Sequence, residues 1–144
     1  MKTFYEIWRK YMPEFKVTFP GNKKVDVEIG KFTVKSDQKM LYGGDDTAPE
    51  PFTIFLSSIG SCAGIYAVSF CDTRGLNTEG MYLMLDISFK ERQNFLEEIK
   101  LTLHVNKEFP EKYIKPIAKS MNHCAVKDQL HPDIKINTIV VYLD

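Results

Sequence analysis

The sequence predicts an α+β domain. Three observations lead there: rows of apolar residues alternating with polar ones, two segments with helical spacing, and an uncharged run, PFTIFLSSIGSCAGIYAVSFC, from Pro51 to Cys71. The strands fall into blocks joined by tight turns, which points to antiparallel sheets with helices set apart from them, not to a doubly wound parallel sheet. With 144 residues, a single domain spanning 1–144 with one compact core is expected.

The first element is a short helix over residues 1–12. Phe4, Ile7, Trp8 and Tyr11 share one face, while Glu6, Arg9 and Lys10 occupy the rest of the circumference. Such an aromatic stripe is a packing face far more often than a cofactor box. Pro13 should end the helix.

Alternation then takes over. Phe15, Val17 and Phe19 lie on one side of a strand, a turn is expected at Pro20-Gly21-Asn22, and Val25, Val27 and Ile29 continue the pattern. Beyond Gly30, Phe32 and Val34 suggest a third strand. LYGGDDTAPEP, with Gly43-Gly44, Asp45, Asp46 and two prolines, is turn chemistry that ends the sheet. Asp45 and Asp46 belong to that chemistry and do not form a catalytic acid and base pair.

The uncharged run comes next and is long enough to span a bilayer. Thr53, Ser57, Ser58, Ser61 and Ser69, together with Gly60 and Gly64, oppose that reading, and a soluble helix covered on all sides is expected in its place. Coverage can come from the middle of a domain or from a second subunit, in which case two such helices would make an obligate dimer. The small residues around Cys62 leave room for another backbone, or a ligand, beside its sulfur.

After Gly75 the period returns to two. Met81, Leu83, Leu85, Ile87 and Phe89 form one row and Ile99, Leu101, Leu103 and Val105 the next, linked by KERQN at a hairpin tip. His104 falls on the polar side. From Pro110, Ile114, Ile117, Met121 and Cys124 follow helical spacing, with Pro116 expected to kink the helix or mark its start. LHPD breaks it before a last strand, IKINTIVVYL.

Composition excludes several functions. The 19 basic and 19 acidic residues cancel, and no basic run is interleaved with aromatics, so neither nucleic acid nor membrane is an expected partner. The amino-terminal MKTFYEIWRKYM lacks an unbroken apolar segment with a cleavage site, which makes a cytoplasmic address the default expectation. Three cysteines, at 62, 71 and 124, suit thiols in a reducing compartment better than a disulfide scaffold. His123 and His131 are poorly spaced with Cys124 for a single metal ion.

An isolated cysteine in an apolar helix is usually a small hydrophobe. Cys71 fits that description: nine residues beyond Cys62, it lies half a turn round the helix and ~13 Å along it. Cys124 changes the weighing for Cys62, because two inward cysteines on separate helices can meet across one core. A meeting pair is a redox unit, in which one thiolate is oxidised to sulfenic acid and the other resolves it to a disulfide.

GGDDTAPEPFTIFLSSIGSC, followed about sixty residues later by CAVKDQL, resembles the OsmC/Ohr family of osmotically inducible and organic hydroperoxide resistance proteins. The likeness rests on the double glycine, on Pro49 and Pro51, on Gly60-Ser61-Cys62, and on Cys124 followed by Ala-Val, and it runs from about Phe15 to the end. The amino-terminal helix is an addition to that core. The resemblance implies an OsmC-like fold, with antiparallel sheets enclosing two long central helices in an intertwined homodimer. It also implies a cysteine-based peroxidase for organic hydroperoxides, reduced by a small or protein-bound dithiol, with no metal or flavin cofactor. By position Cys62 matches the attacking cysteine and Cys124 the resolving one.

Two departures from the family pattern concern the thiolate. The resemblance implies a glutamate nine or ten residues before the first cysteine, where Phe52 and Thr53 stand, and an arginine from the early strands, although the chain's arginines are Arg9, Arg74 and Arg92. Glu50 is the nearest acid, and Lys23 or Lys24 could supply a point charge without the bidentate fork of arginine. A thiol among apolar neighbours needs such support to ionise. The divergent OsmC-like branch is therefore a closer likeness than the dedicated peroxidases. A second reading keeps the fold as a dimer that binds apolar ligands or senses oxidation without turnover. Cysteine-based acyl transfer is a third, for which Cys62 has no clear histidine partner.

Overall fold

The structure, a computed structural model, describes residues 4–144. The part of the expected first helix that precedes Phe4, and the side chains of Phe4 and Ile7 on its apolar face, lie outside the described residues. Two compact units are distinguishable, residues 1–55 and 56–144.

The first unit holds helix α1, Phe4–Tyr11, and a three-stranded sheet of β1, Phe15–Gly21, β2, Lys24–Ile29, and β3, Phe32–Ser36. All pairings are antiparallel, with Val17 opposite Val27 and Val27 opposite Val34. The first turn falls at Asn22-Lys23, because Gly21 pairs with Lys24, so Pro20 lies inside β1 and not in the turn. The register shifts between Thr18 and Gly21. A proline, with no N–H to give the ladder, is tolerated at such a bulge. Gly30, at φ +57, allows the second two-residue turn.

This sheet has no core of its own. Phe15, Val17, Phe19 and Phe32 are exposed, and among the described residues Ser36 and Asp37 are the only buried ones of the unit. A 3-10 turn, Met40–Tyr42, and the double glycine lead to helix α2, Pro51–Asp72, which crosses from the first unit into the second.

In the second unit β4, Tyr82–Phe89, pairs antiparallel with β5, Leu96–Val105, which sets Leu83 opposite Leu103, Leu85 opposite Leu101 and Ile87 opposite Ile99. The last strand, β6, Lys135–Tyr142, pairs with β5 in parallel, contrary to the antiparallel expectation. The twenty-nine residues between them explain why: a parallel neighbour needs a long crossover, and this one contains a 3-10 turn, Glu111–Tyr113, and helix α3, Ile114–Met121. Ile59, Ala63, Ala67, Phe70 and Cys71 of α2 recur at helical spacing and join Ile99, Leu101, Leu103 and Val105 of β5, and Ile117 and Met121 of α3, in one buried cluster.

Pro116 does not start α3, which begins at Ile114; it sits in the first turn, where a missing N–H costs nothing. The helix stops at Met121, three residues short of Cys124. Asn122 and His123 turn their N–H groups back to Lys119 and Ser120, tightening the end into a 3-10 turn. Cys124 is thus a loop residue, not the last member of a helical stripe, but it is buried as expected. His104 is half-buried instead of fully solvated, and its ring stacks on Tyr82 at 4.2 Å.

Candidate functional site

Cys62 sits near the middle of α2 and is half-buried, whereas Cys124 is only 1% exposed. The Cys62 side chain lies close enough to Cys124 to act on its thiol. Burial is the largest influence on the Cys124 thiol and pushes it up, and Cys62 adds to that. Backbone N–H groups of Lys127 and Val126 pull the other way by donating to the same sulfur. The loop after α3 therefore presents Cys124 as a thiol that keeps its proton beside Cys62.

That arrangement follows from the local chain. A short 3-10 turn, Lys127–Gln129, folds back so that Asp128 donates its N–H to the Cys124 carbonyl at 3.3 Å. The sequence signal for it was the Cys-Ala-Val-Lys segment itself. Its backbone donors to sulfur are legible only in the folded turn.

Around Cys62 the small residues leave space. A methyl group added at Gly64 would meet nothing within 4 Å, and one at Gly60 would only graze Leu85. An apolar cavity of about 290 Å³ lies beside this stretch, between Gly64, Ala67 and Val68 on α2 and Met81, Leu83 and Leu103. Neither cysteine lines this hollow, whose α2 residues lie on the face of the helix turned away from Cys62; it is a place where an apolar group could bind apart from the thiols.

Cys71 does not take part. It is fully buried in the core, and its thiol is pushed up by burial, then by neighbouring Asp72, with Arg74 acting in the opposite direction.

Lys24 forms an ion pair with Asp45, which holds its ammonium in the charged form, while Asp45 is held low by that bond and by Asn22 at 2.9 Å. Glu50 pairs with Lys39 at 3.6 Å. Lys23 is exposed at the turn and lies close to Gly43. Two of the three residues suggested for thiolate support are thus already engaged inside the first unit.

Sequence reasoning passed over Asp37. Its carboxylate accepts from the backbone N–H of Thr47 at 3.0 Å, the Thr47 hydroxyl at 2.7 Å and the N–H of Gln38 at 2.8 Å. Asp37 closes the loop that contains the double glycine. There Gly43 takes φ +82, and a side chain on Gly44 would collide with the Gln38 carbonyl oxygen at 1.9 Å. Nothing in the spacing of residues 37 and 47 signals that contact.

A family model described as OsmC-like protein matches residues 43–139, from the double glycine through both cysteines and across both units. No curated protein matches the chain in sequence. Among solved structures the chain is similar to one from Psychrobacter arcticus 273-4, named for osmotic stress induction and detoxification, at 19% identity and a TM-score of 0.76, covering 90% of this chain and 96% of that one. An OsmC like protein from Mycoplasma pneumoniae is 16% identical with a TM-score of 0.72, over 92% and 97% of the two chains. An organic hydroperoxide resistance protein from Elizabethkingia anophelis is 13% identical with a TM-score of 0.64, over 99% and 100%. At such identities the likeness is one of fold.

Proposed function

The chain belongs to the OsmC-like protein family, and from that premise we propose that it is a thiol peroxidase for organic hydroperoxides, with Cys62 as nucleophile and Cys124 as resolver. The closeness of the two cysteine side chains, one buried and one half-buried, carries this reading. The names of the organic hydroperoxide resistance proteins among the similar structures support the substrate class.

In the proposed cycle the Cys62 thiolate attacks the distal oxygen of ROOH. An S–O bond forms as the O–O bond breaks, and the departing alkoxide takes the Cys124 proton to leave as alcohol. The Cys124 thiolate then attacks the sulfenic sulfur, closing an S–S bond. Hydroxide leaves and takes a proton from solvent to become water. A small or protein-bound dithiol returns both thiols and is itself oxidised to a disulfide. Such a cycle needs a reducing surrounding, so the cytoplasm is the compartment we propose for it. Of the residues proposed to support the thiolate, Lys24 and Glu50 are held by Asp45 and Lys39.

We assign the working form as a homodimer. Phe52, Phe55, Ile65 and Val68 of α2 are 40% exposed or more, and Phe15, Val17 and Phe32 of the first sheet are likewise uncovered. Apolar surface of this extent needs a cover.

The apolar cavity beside Gly64 favours a second reading, a dimer that binds apolar molecules and whose cysteines oxidise once without turnover. Steady-state kinetics with cumene hydroperoxide and an excess of dithiol separates the two. Peroxidase action predicts many equivalents of peroxide consumed per chain, and none with Cys62→Ser. Consumption that stops after one equivalent despite dithiol would leave the binding or sensing role.

A further inference from the structure

Where α2 ends, the second unit opens a groove of about 410 Å³. Ser69, Thr73 and Arg74 line it from the α2 side, and Lys119, Ser120 and His123 from the end of α3. No acidic residue lines it, and among the described residues no carboxylate pairs with Arg74, Lys119 or His123.

Arg74 is held in place. One of its terminal nitrogens donates to the Phe70 carbonyl at 3.1 Å and to the Thr73 hydroxyl at 2.9 Å, and the guanidinium lies 3.7 Å from the Phe70 ring centroid. A guanidinium carries five N–H donors in a rigid fork. The bonds to Phe70 and Thr73 engage one nitrogen and fix the plane of the others.

Cations do gather at helix C-termini for the sake of the helix alone. Arg74 meets that need through the Phe70 carbonyl, but no described hydrogen bond engages the Lys119 ammonium or the His123 ring. The Thr73 hydroxyl donates to the Phe70 carbonyl at 3.1 Å. The Lys119 ammonium, the His123 ring, the remaining Arg74 nitrogens and the hydroxyls of Ser69 and Ser120, however, line one hollow with no acid among them and no described acceptor. Phosphate-type oxyanions supply that acceptor, with several oxygens for charge-assisted bonds.

We infer that this groove is a binding site for a tetrahedral oxyanion of the phosphate class, either the free ion or a phosphate monoester. His123 adjoins Cys124, so the ligand would touch the segment that carries the proposed resolving thiol. The site stands independently of the peroxidase reading.

The test is an NMR titration of the reduced full-length chain, labelled with nitrogen-15, with inorganic phosphate, glycerol 2-phosphate and acetate in turn, each against chloride of equal ionic strength. Saturable shifts at the amides of Ser69, Thr73, Arg74, Lys119, Ser120 and His123 are expected with phosphate. Equal or tighter binding of glycerol 2-phosphate assigns a monoester ligand, and binding of phosphate alone assigns the free ion. Because Arg74 also caps α2, the deciding variant is Lys119→Gln, an exposed position, which should weaken binding at least about tenfold. Shifts that chloride or acetate reproduces, or that survive Lys119→Gln unchanged, would overturn the assignment.

Discussion

Asp37 owes its state to a single loop. The Thr47 backbone N–H, then the Thr47 hydroxyl, hold its carboxyl at about 2 against an ordinary 3.8, while burial acts in the opposite direction. The folded chain therefore binds a proton at Asp37 less readily than the unfolded chain does. Its stabilising contribution is full above the unfolded value of 3.8 and is lost as pH falls through about 2. Asp45, lowered by Lys24, adds to the same acid limb. Thermal melts across that range should show a shallower fall for Asp37→Asn than for the parent chain, and a lower Tm at neutral pH. Equal pH dependence in the two chains would refute the assignment. Residues differed in how far the sequence disclosed them: Cys62 and Cys124 could be chosen from their neighbours, whereas Asp37 gains its meaning only when ten residues of loop close on it. The glycine pair lies between these cases. Its turn role was plain, but the close approach of Gly44 to the Gln38 carbonyl was not.

Among the elements, α2 was the most legible, because an uncharged run bounded by Pro51 and Asp72 leaves little choice of limits. Its surroundings were less so. Only 28% of its most apolar window is buried within the chain, although its composition asks for cover on every side. Ile65, on the uncovered side, is 63% exposed. If a second copy covers that face, Ile65→Lys places a charge in an apolar interface, and sedimentation velocity should show the dimer dissociation constant rising at least about tenfold, ~1.4 kcal/mol. A parent chain that sediments as a monomer would contradict the proposed dimer. Helix α3 shows where periodicity misleads. The spacing of Ile117, Met121 and Cys124 fits a helix, but the chain leaves the α geometry at Asn122 and still delivers Cys124 to the interior. A loop can keep the burial of a stripe without keeping its hydrogen bonds. The parallel pairing of β5 with β6 was hidden for a similar reason, since alternation along a strand says which face is buried and not which way its neighbour runs.

At the scale of the molecule, two units carry different parts of the chemistry. The second has a core of α2, α3 and the β4-β5-β6 sheet, and it brings Cys62 and Cys124 together. The first holds the glycine loop, an exposed apolar sheet and the ion pairs Lys16–Glu28, Lys24–Asp45 and Lys39–Glu50. The order of elements was readable because each has its own period. The meeting of the cysteines was a conjecture from two inward stripes, and the folded loop realises it by a different route. The central claim is that this meeting is chemical. One equivalent of cumene hydroperoxide added to the reduced protein, followed by peptide mapping without reduction, tests it most directly. The account predicts a single Cys62 to Cys124 disulfide, with Cys71 still a thiol and the chain lighter by about two hydrogens. Sulfinic acid at Cys62 with Cys124 unmodified, or both thiols intact, would contradict it.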